Sequence, residues 1–196
     1  MMKMTKRQAE ITEVSINIIA NKGIQNLTIK NISKAIGISE PAIYRHFESK
    51  IDILLAILSF FKNSNNIALS TEKLKSENSI KQIKTIYFNH FEQFISNRAL
   101  ASVIFSEDIF QNDERLIKKV SSIMELNHKI ISEIIATGQE KNEIRDDISV
   151  DQLTLIIMGA LRLIVQKWKM AKFKFDLKRE GENLWNSIEK LIIKEK

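Results

Sequence analysis

Apolar residues recur at helical spacing along almost the whole chain. Ile11, Val14, Ile18 and Ile19 fall close to a 3.6-residue period and predict a first helix over 5–21. Lys22-Gly23 should end it, with Gly23 able to take the left-handed cap. Leu27 then packs ahead of Thr28, a good N-cap for a short helix reaching residue 35. The apolar face of that helix is Ile29, Ile32 and Ile36, and Gly37 interrupts it. Ser39 is placed to cap the next helix, with Pro41 in its first turn, where a missing N–H costs nothing. This helix is expected to run to about residue 46. Ser49 caps a fourth, longer helix with Ile51, Leu54, Leu55, Leu58 and Phe61 on one stripe.

Residues 63–78 are polar and rich in Ser, Asn and Lys, which predicts a frayed helix end and a loop. Helical patterns resume near residue 79. Ile83, Ile86, Tyr87, Phe91 and Phe94 form one stripe, with further stripes over 99–110 and 116–137. Residues 142–147 read as a turn, and 150–170 and 177–193 as the last two helices. No strand alternation of useful length and no internal repeat is present. The pattern therefore predicts an all-α fold of about nine helices. The N-terminal domain, residues 1–50, would be a three-helix unit, followed by a helical domain over 51–196.

The helix from residue 150 is apolar nearly all round, so it needs cover on more than one side. The last helix carries a matching stripe. A symmetric homodimer is expected here, with Leu161, Val165, Trp168, Leu184, Trp185, Ile188 and Ile192 at its interface. A monomer with an enclosed central helix is the competing arrangement.

Composition narrows the class. Hydrophobic residues at 44% and charged residues at 28% suit a soluble globular protein. Cysteine is absent, which excludes disulfides and thiolate metal sites and favours a reducing compartment, the cytoplasm. No signal peptide is visible, and the longest apolar stretch, 153–165, is 13 residues long and contains Arg162, too short to span a bilayer. No membrane partner is expected. Net charge is +6, and it is uneven. Residues 1–50 hold eight Lys/Arg and four Asp/Glu, a net +4, while residues 51–196 hold 22 and 20, a net +2. Either a polyanion-binding head or a solvated basic face would look like this.

The residues of 28–47 weigh toward the first. Two short helices separated by Gly37-Ile38, with apolar residues at Ile29, Ile32, Ile36, Ile38 and Ile43, have helix-turn-helix spacing. Ser33 is small enough for close approach of the pair. The second helix is then free to be polar outside and to enter a major groove. Tyr44, His46 and Lys50 suit phosphate oxygens, and Thr28 and Ser49 add hydroxyls at helix N-termini, where anions are favoured. Ser39, at the start of the reading helix, joins the DNA-contacting set. Glu40, Pro41, Ala42 and Arg45 lie towards base edges: Arg45 can pair with guanine, Glu40 can accept from cytosine, and Pro41 or Ala42 can touch a thymine methyl.

LTIKNISKAIGISEPAIYRHFESKIDIL, residues 27–54, resembles the N-terminal domain of the TetR family of transcriptional repressors. Gly37 in the turn, the Tyr44/Phe47 pair, and Lys50 with Leu54 at the opening of the fourth helix carry the resemblance. Ser33 departs from it, since the family usually has Ala there. The match covers about residues 5–60. It implies a dimer on a palindromic operator, with a small molecule in the C-terminal domain shifting the fourth helix and releasing the DNA. It also implies that Thr28, Tyr44, His46 and Lys50 contact phosphates and that Glu40, Pro41, Ala42 and Arg45 face bases.

An effector of partly apolar character should bind among the helices of residues 79–165. Candidate lining residues are Phe88, Phe91, Phe105, Phe110, Met124, His128, Met158 and Arg162, and Arg162 could hold an acidic head group. Two other readings compete. A TetR-like protein can act through a protein partner, as in nucleoid occlusion. A di-metal helical-bundle enzyme needs Glu-x-x-His twice; Glu125–His128 supplies it once, while His46 and His90 lack the Glu. No phosphate loop or nucleophile motif is present, so neither catalysis nor a cofactor is expected.

Overall fold

The computed structural model describes residues 4–69, 76–105 and 113–194, and describes no side chains for 61–69. Among these residues there are nine α-helices, one 3₁₀ turn and no strand beyond a single isolated bridge, Ile144 to Ile193. None of the described helices is long and apolar enough to cross a membrane. Two compact units are present. The head comprises Met1–Asn63 and Asn97–Ser121; the body comprises Ser64–Ser96 and Ser122–Lys196.

In the head, α1 (Lys6–Lys22) opens on a capping box. The Thr5 hydroxyl accepts from the Gln8 amide at 3.2 Å, and the Gln8 side chain accepts from the Thr5 amide at 3.0 Å. Gly23 ends α1 with φ 83° but ψ 161°, so the expected left-handed cap is replaced by an extended residue of positive φ, and a 3₁₀ turn (Ile24–Asn26) follows. Helix α2 (Ile29–Ile36) is capped by Thr28, whose hydroxyl accepts from the Asn31 amide at 3.1 Å. It ends on Gly37, which is left-handed at φ 80° and ψ 31°, a conformation that costs glycine nothing. The Gly37 and Ile38 amides both close onto the Ser33 carbonyl. Ser33 itself is buried, and its hydroxyl donates to the Lys30 carbonyl at 3.0 Å, so the family departure at this position is satisfied within its own helix.

Helix α3 (Glu40–Tyr44) is shorter than the sequence suggests. Arg45 is its C-cap, and the His46 and Phe47 amides turn back onto the Ile43 carbonyl. Ser39 precedes α3 without making a side-chain capping bond, contrary to expectation. Helix α4 (Lys50–Leu69) starts as expected: the Ser49 hydroxyl accepts from the Asp52 amide at 3.3 Å and donates to the Asp52 carboxylate at 2.6 Å. It does not fray at residue 63. Asn and Ser each cost only a few tenths of a kcal/mol in a helix, roughly, which is too little to stop a cooperative one. Helix α6 (Arg98–Ile104) packs on α1 and closes the head. The core of the head is Ile11, Ile18, Ile19, Leu27, Ile32, Ile43, Phe47, Ile53, Leu54, Ile57 and Leu58, covered by Leu100, Val103 and Leu116.

The body is built from α5 (Ser79–Ser96), most of α7 (Glu114–Glu140), α8 (Val150–Met170) and α9 (Leu177–Ile192). Helix α9 packs on both α5 and α8. Gly181 makes the first contact possible: a Cβ there would stand 2.6 Å from the Phe91 ring. The chain end is clipped to the α7–α8 turn, with the Arg145 amide donating to the Ile192 carbonyl at 2.9 Å and Lys194 reaching Asp146 at 2.9 Å.

This packing corrects the expected interface. Val165, Trp168, Trp185, Ile188 and Ile192 are all buried within the protomer and have no area left for a second chain. Leu161 and Leu184 are half-buried. The side of α8 that remains uncovered carries Leu155, Ile156 and Leu163 instead. Periodicity showed correctly that both helices bury a stripe, but α8 and α9 bury these stripes inside the same protomer.

Candidate nucleic-acid interface and effector cavity

Helix α3 has five residues and sorts them cleanly. Ile43 is fully buried, and Phe47, just beyond the helix, is nearly so. Ser39, Glu40, Pro41, Tyr44 and Arg45 are exposed, Tyr44 at 51%. Ala42, His46 and Lys50 are half-buried, and Thr28 is exposed at the start of α2. The nine residues expected to contact DNA thus lie on α3, at its two ends, and at the N-termini of α2 and α4. A tyrosine ring half in solvent on a helix with so little core is poorly explained by packing. An exposed polar face of this kind is what a helix would present to a duplex groove, which offers acceptors on its floor and walls.

Two positioning elements escaped the sequence reading. Gln8 does more than close its capping box: its Nε2 donates to the His46 carbonyl at 3.2 Å, so α1 holds the turn that follows α3. Arg115, at the start of α7, bonds Asp52 at 2.9 Å and Asp113 at 3.0 Å. Asp52 lies two residues after Lys50 and also bonds Ser49, so this network fixes the first turn of α4. The Arg115 guanidinium holds the Asp113 carboxyl below the usual carboxylate range. The capping box was visible as Thr5-x-x-Gln8. The Asp52–Arg115 pair spans 63 residues and has no local signal.

The described candidates for an effector cavity belong to both units and differ in burial. Phe91 is fully buried in the body, in an aromatic cluster with Tyr87 at 4.8 Å, while Tyr87 stands 5.4 Å from Trp185. Phe105 belongs to the head, just past α6. Phe110 lies outside the described residues. Met124 and His128 are exposed on α7, because the outer face of that helix turns toward solvent there. Met158 and Arg162 are half-buried, and Arg162 Nη1 lies 3.9 Å from the Met124 sulfur. Only Phe88 reaches the described cleft between α5 and α9, of about 490 Å³, together with Lys84, Glu92, Lys178, Glu182, Trp185 and Asn186. Lys178 and Glu92 form a 3.2 Å ion pair there. Two polar groups on α5 were not anticipated. The Tyr87 hydroxyl is buried without a hydrogen-bond partner among the described residues, and burial raises its pKa. Burial also pushes the His90 imidazole down to about 4. Among the described residues no group of three or more His, Asp or Glu side chains could hold a metal ion, and Glu125 and His128 are both exposed.

Comparison with known proteins gives a consistent picture. The chain is 24% identical over 185 residues to the fatty acid metabolism regulator protein of Bacillus subtilis, covering 94% of this chain and 92% of that one. The fatty acid degradation regulator FadR of Bacillus halodurans superposes with a TM-score of 0.82 at 20% identity, over 96% of this chain and 97% of that one. FadR of Bacillus subtilis, solved in complex with stearoyl-CoA, superposes with a TM-score of 0.77 at 21% identity, over 92% and 96%. These structural likenesses are likenesses of fold. The nucleoid occlusion factor SlmA of Actinobacillus pleuropneumoniae matches at 24% over only 121 residues, 61% of this chain and 60% of that one. Residues 62–194 match the C-terminal region of YsiA-like proteins, and residues 11–57 match the bacterial regulatory proteins of the tetR family. The chain belongs to the TetR family of bacterial transcriptional regulators.

Proposed function

We propose that this protein is a ligand-responsive repressor that binds a palindromic operator as a homodimer and releases it on binding a long-chain fatty acyl-CoA. Residues 1–50 act as the DNA-binding domain and residues 51–196 as the effector-binding and dimerisation domain. The observation that carries DNA reading is the polar outer face of α3, held on Ile43 and Phe47 alone. Arg45 and Glu40 face base edges, while Thr28, Ser39, Tyr44, His46 and Lys50 take the phosphates on either side. Pro41 and Ala42 give the helix an apolar tip for a thymine methyl.

The acyl effector is supported by the match of residues 62–194 to the YsiA-like C-terminal region and by the fatty-acid regulators among the relatives. Induction requires that the effector bind the DNA-incompetent arrangement more tightly, by typically ~1–3 kcal/mol. Selection of bound duplexes from a random pool at low salt tests the first half of the reading, with a palindrome as the expected product. Stearoyl-CoA should then release the selected duplex, while coenzyme A alone should not. Recovery of no preferred duplex would end the repressor reading; release by coenzyme A alone would end the acyl one. A role through a protein partner, as in nucleoid occlusion, draws only on the shorter SlmA match. Many chromosomal sites, rather than one beside a promoter, would favour it.

A further inference from the structure

The inner face of α5 is closed around His90 but not at it. Ile83, Ile86 and Tyr87 precede His90 and Phe94 follows it at helical spacing, so all four lie beside it on one face. Their side chains are buried, none more than 7% exposed. His90, in their midst, is only half-buried. A side chain ringed by closed neighbours keeps open surface where the packing opposite leaves a space. That space is not bulk water. A solvated imidazole would titrate near 6.5, and burial pushes this one down to about 4. His90 therefore faces an enclosed space inside the body.

The imidazole is also incomplete as a hydrogen-bonding group. In its neutral form it carries one donor and one acceptor nitrogen. Neither has a partner among the described residues. An unpaired polar ring in the middle of an apolar face is costly, and a leucine or phenylalanine would fill the place without that cost. The Tyr87 hydroxyl nearby is unpartnered among the described residues as well, but it is sealed in, with no open surface of its own. His90 is thus the polar group that this face offers to the space.

The chemistry selects the occupant. Ile83, Ile86 and Phe94 surround His90 with apolar surface, so the bulk of the occupant is apolar too. A neutral ring can donate to an oxygen, but it brings no charge to offset an ionised acid. The lysines of α5, Lys81 and Lys84, are exposed. A carboxylate entering here would lose its water and gain no counter-charge from this helix. An uncharged carbonyl on a long apolar chain would lose far less and would complete the ring's hydrogen bonding. We infer that His90 is a specificity-determining residue of the effector cavity, its ring N–H donating to the thioester carbonyl of the acyl chain. This rests on the acyl-CoA reading above and adds the atom by which the acyl group is recognised.

A pair of compounds isolates that atom. Stearoyl-CoA and S-octadecyl-CoA share chain length, charge and coenzyme, and differ in the carbonyl oxygen. The full-length protein should bind the thioester about fivefold to tenfold more tightly than the thioether, as one hydrogen bond allows. In His90→Phe the two compounds should bind alike, whereas a merely structural role for His90 would weaken both and leave their ratio unchanged. His90→Gln, which keeps a donor, should recover part of the preference. Calorimetric titration of both compounds reads all three proteins. Equal affinity of the unmodified protein for the two compounds overturns the inference and needs no variant. A preference that persists undiminished in His90→Phe also overturns it, while leaving the acyl-CoA reading in place. If the unmodified protein binds neither compound, the acyl-CoA reading falls and takes this inference with it.

Discussion

The head and the body are both built from amphipathic helices, but they are constrained from opposite sides. In the head, α3 buries Ile43, with Phe47 just beyond it, and turns most of its remaining surface outward. On the proposed reading the shape of a duplex sets which residues appear there, and so the type and reach of each outward side chain. In the body the constraint lies inside. Tyr87, Phe91 and Trp185 fill a core in which any large apolar set of the same volume would serve, and most of the outer faces can drift. Short elements with little core therefore carry functional information in this molecule, and long ones carry mainly packing.

The sharpest test of that contrast truncates one aromatic from each region. Phe47→Ala and Trp185→Ala each remove a buried ring, and each should destabilise its own unit by about 3–5 kcal/mol. Phe47→Ala should abolish operator binding and spare effector binding; Trp185→Ala should abolish effector binding and weaken operator binding only as far as it weakens the dimer. Fluorescence titration of acyl-CoA and gel retardation of the selected operator, measured on both variants, decide it. If both variants lose both activities together, the two regions are not separable in this way.

The outward face of α3 comes next. Arg45→Ala should cost about 1–3 kcal/mol of operator affinity and relax preference at one base pair, as expected for a guanine contact. Lys50→Ala should weaken all sequences alike and lower the salt slope by about one unit. An Arg45 variant that loses affinity uniformly would make that residue a phosphate contact instead.

Much of this contrast can be read from the chain because its signals are local. Thr28, Gly37 and Ser49 act on residues three or four positions away, and the structure places each as cap or turn. The polar character of α3 is likewise a matter of counting along one short helix. What could not be read is which surface a buried stripe packs against. Trp168 and Trp185 look equally suited to an interface or a core, and only the fold of α9 onto α5 and α8 decides for the core. The unpartnered Tyr87 hydroxyl and the Asp52–Arg115 pair have no signature in sequence, because each depends on what a distant segment brings.

The body should respond to acid through His90. Burial holds its folded pKa at about 4, below the ordinary value of 6.5, so the folded chain refuses a proton that the unfolded chain accepts. The stability this neutral imidazole permits is complete above pH 6.5 and is lost as pH falls from there toward 4, at up to about 1.4 kcal/mol per pH unit. Denaturant midpoints collected across that range should fall, and His90→Phe should flatten the decline. An equally steep decline in the variant would assign the acid sensitivity to other groups.

The smallest effect is expected at the seam of the comparison. Arg115 stands at the head end of α7, and through Asp52 it holds the head end of α4, the helix that begins with Lys50. The ion pair is half in solvent, so replacing Arg115 with Ala should change the melting temperature very little. It should still loosen the first turn of α4, where Ser49, Lys50 and Asp52 are held together, and so weaken operator binding slightly at low salt. Asp52→Asn should reproduce the effect, and the double variant should add nothing to it, because either change removes the same pair. Raising the ionic strength should erase the difference from the unmodified protein, since an exposed pair is screened over about 10 Å at 0.1 M salt. Additive losses in the double variant would mean that Arg115 and Asp52 act separately, and that α4 takes its orientation from the core of the head alone.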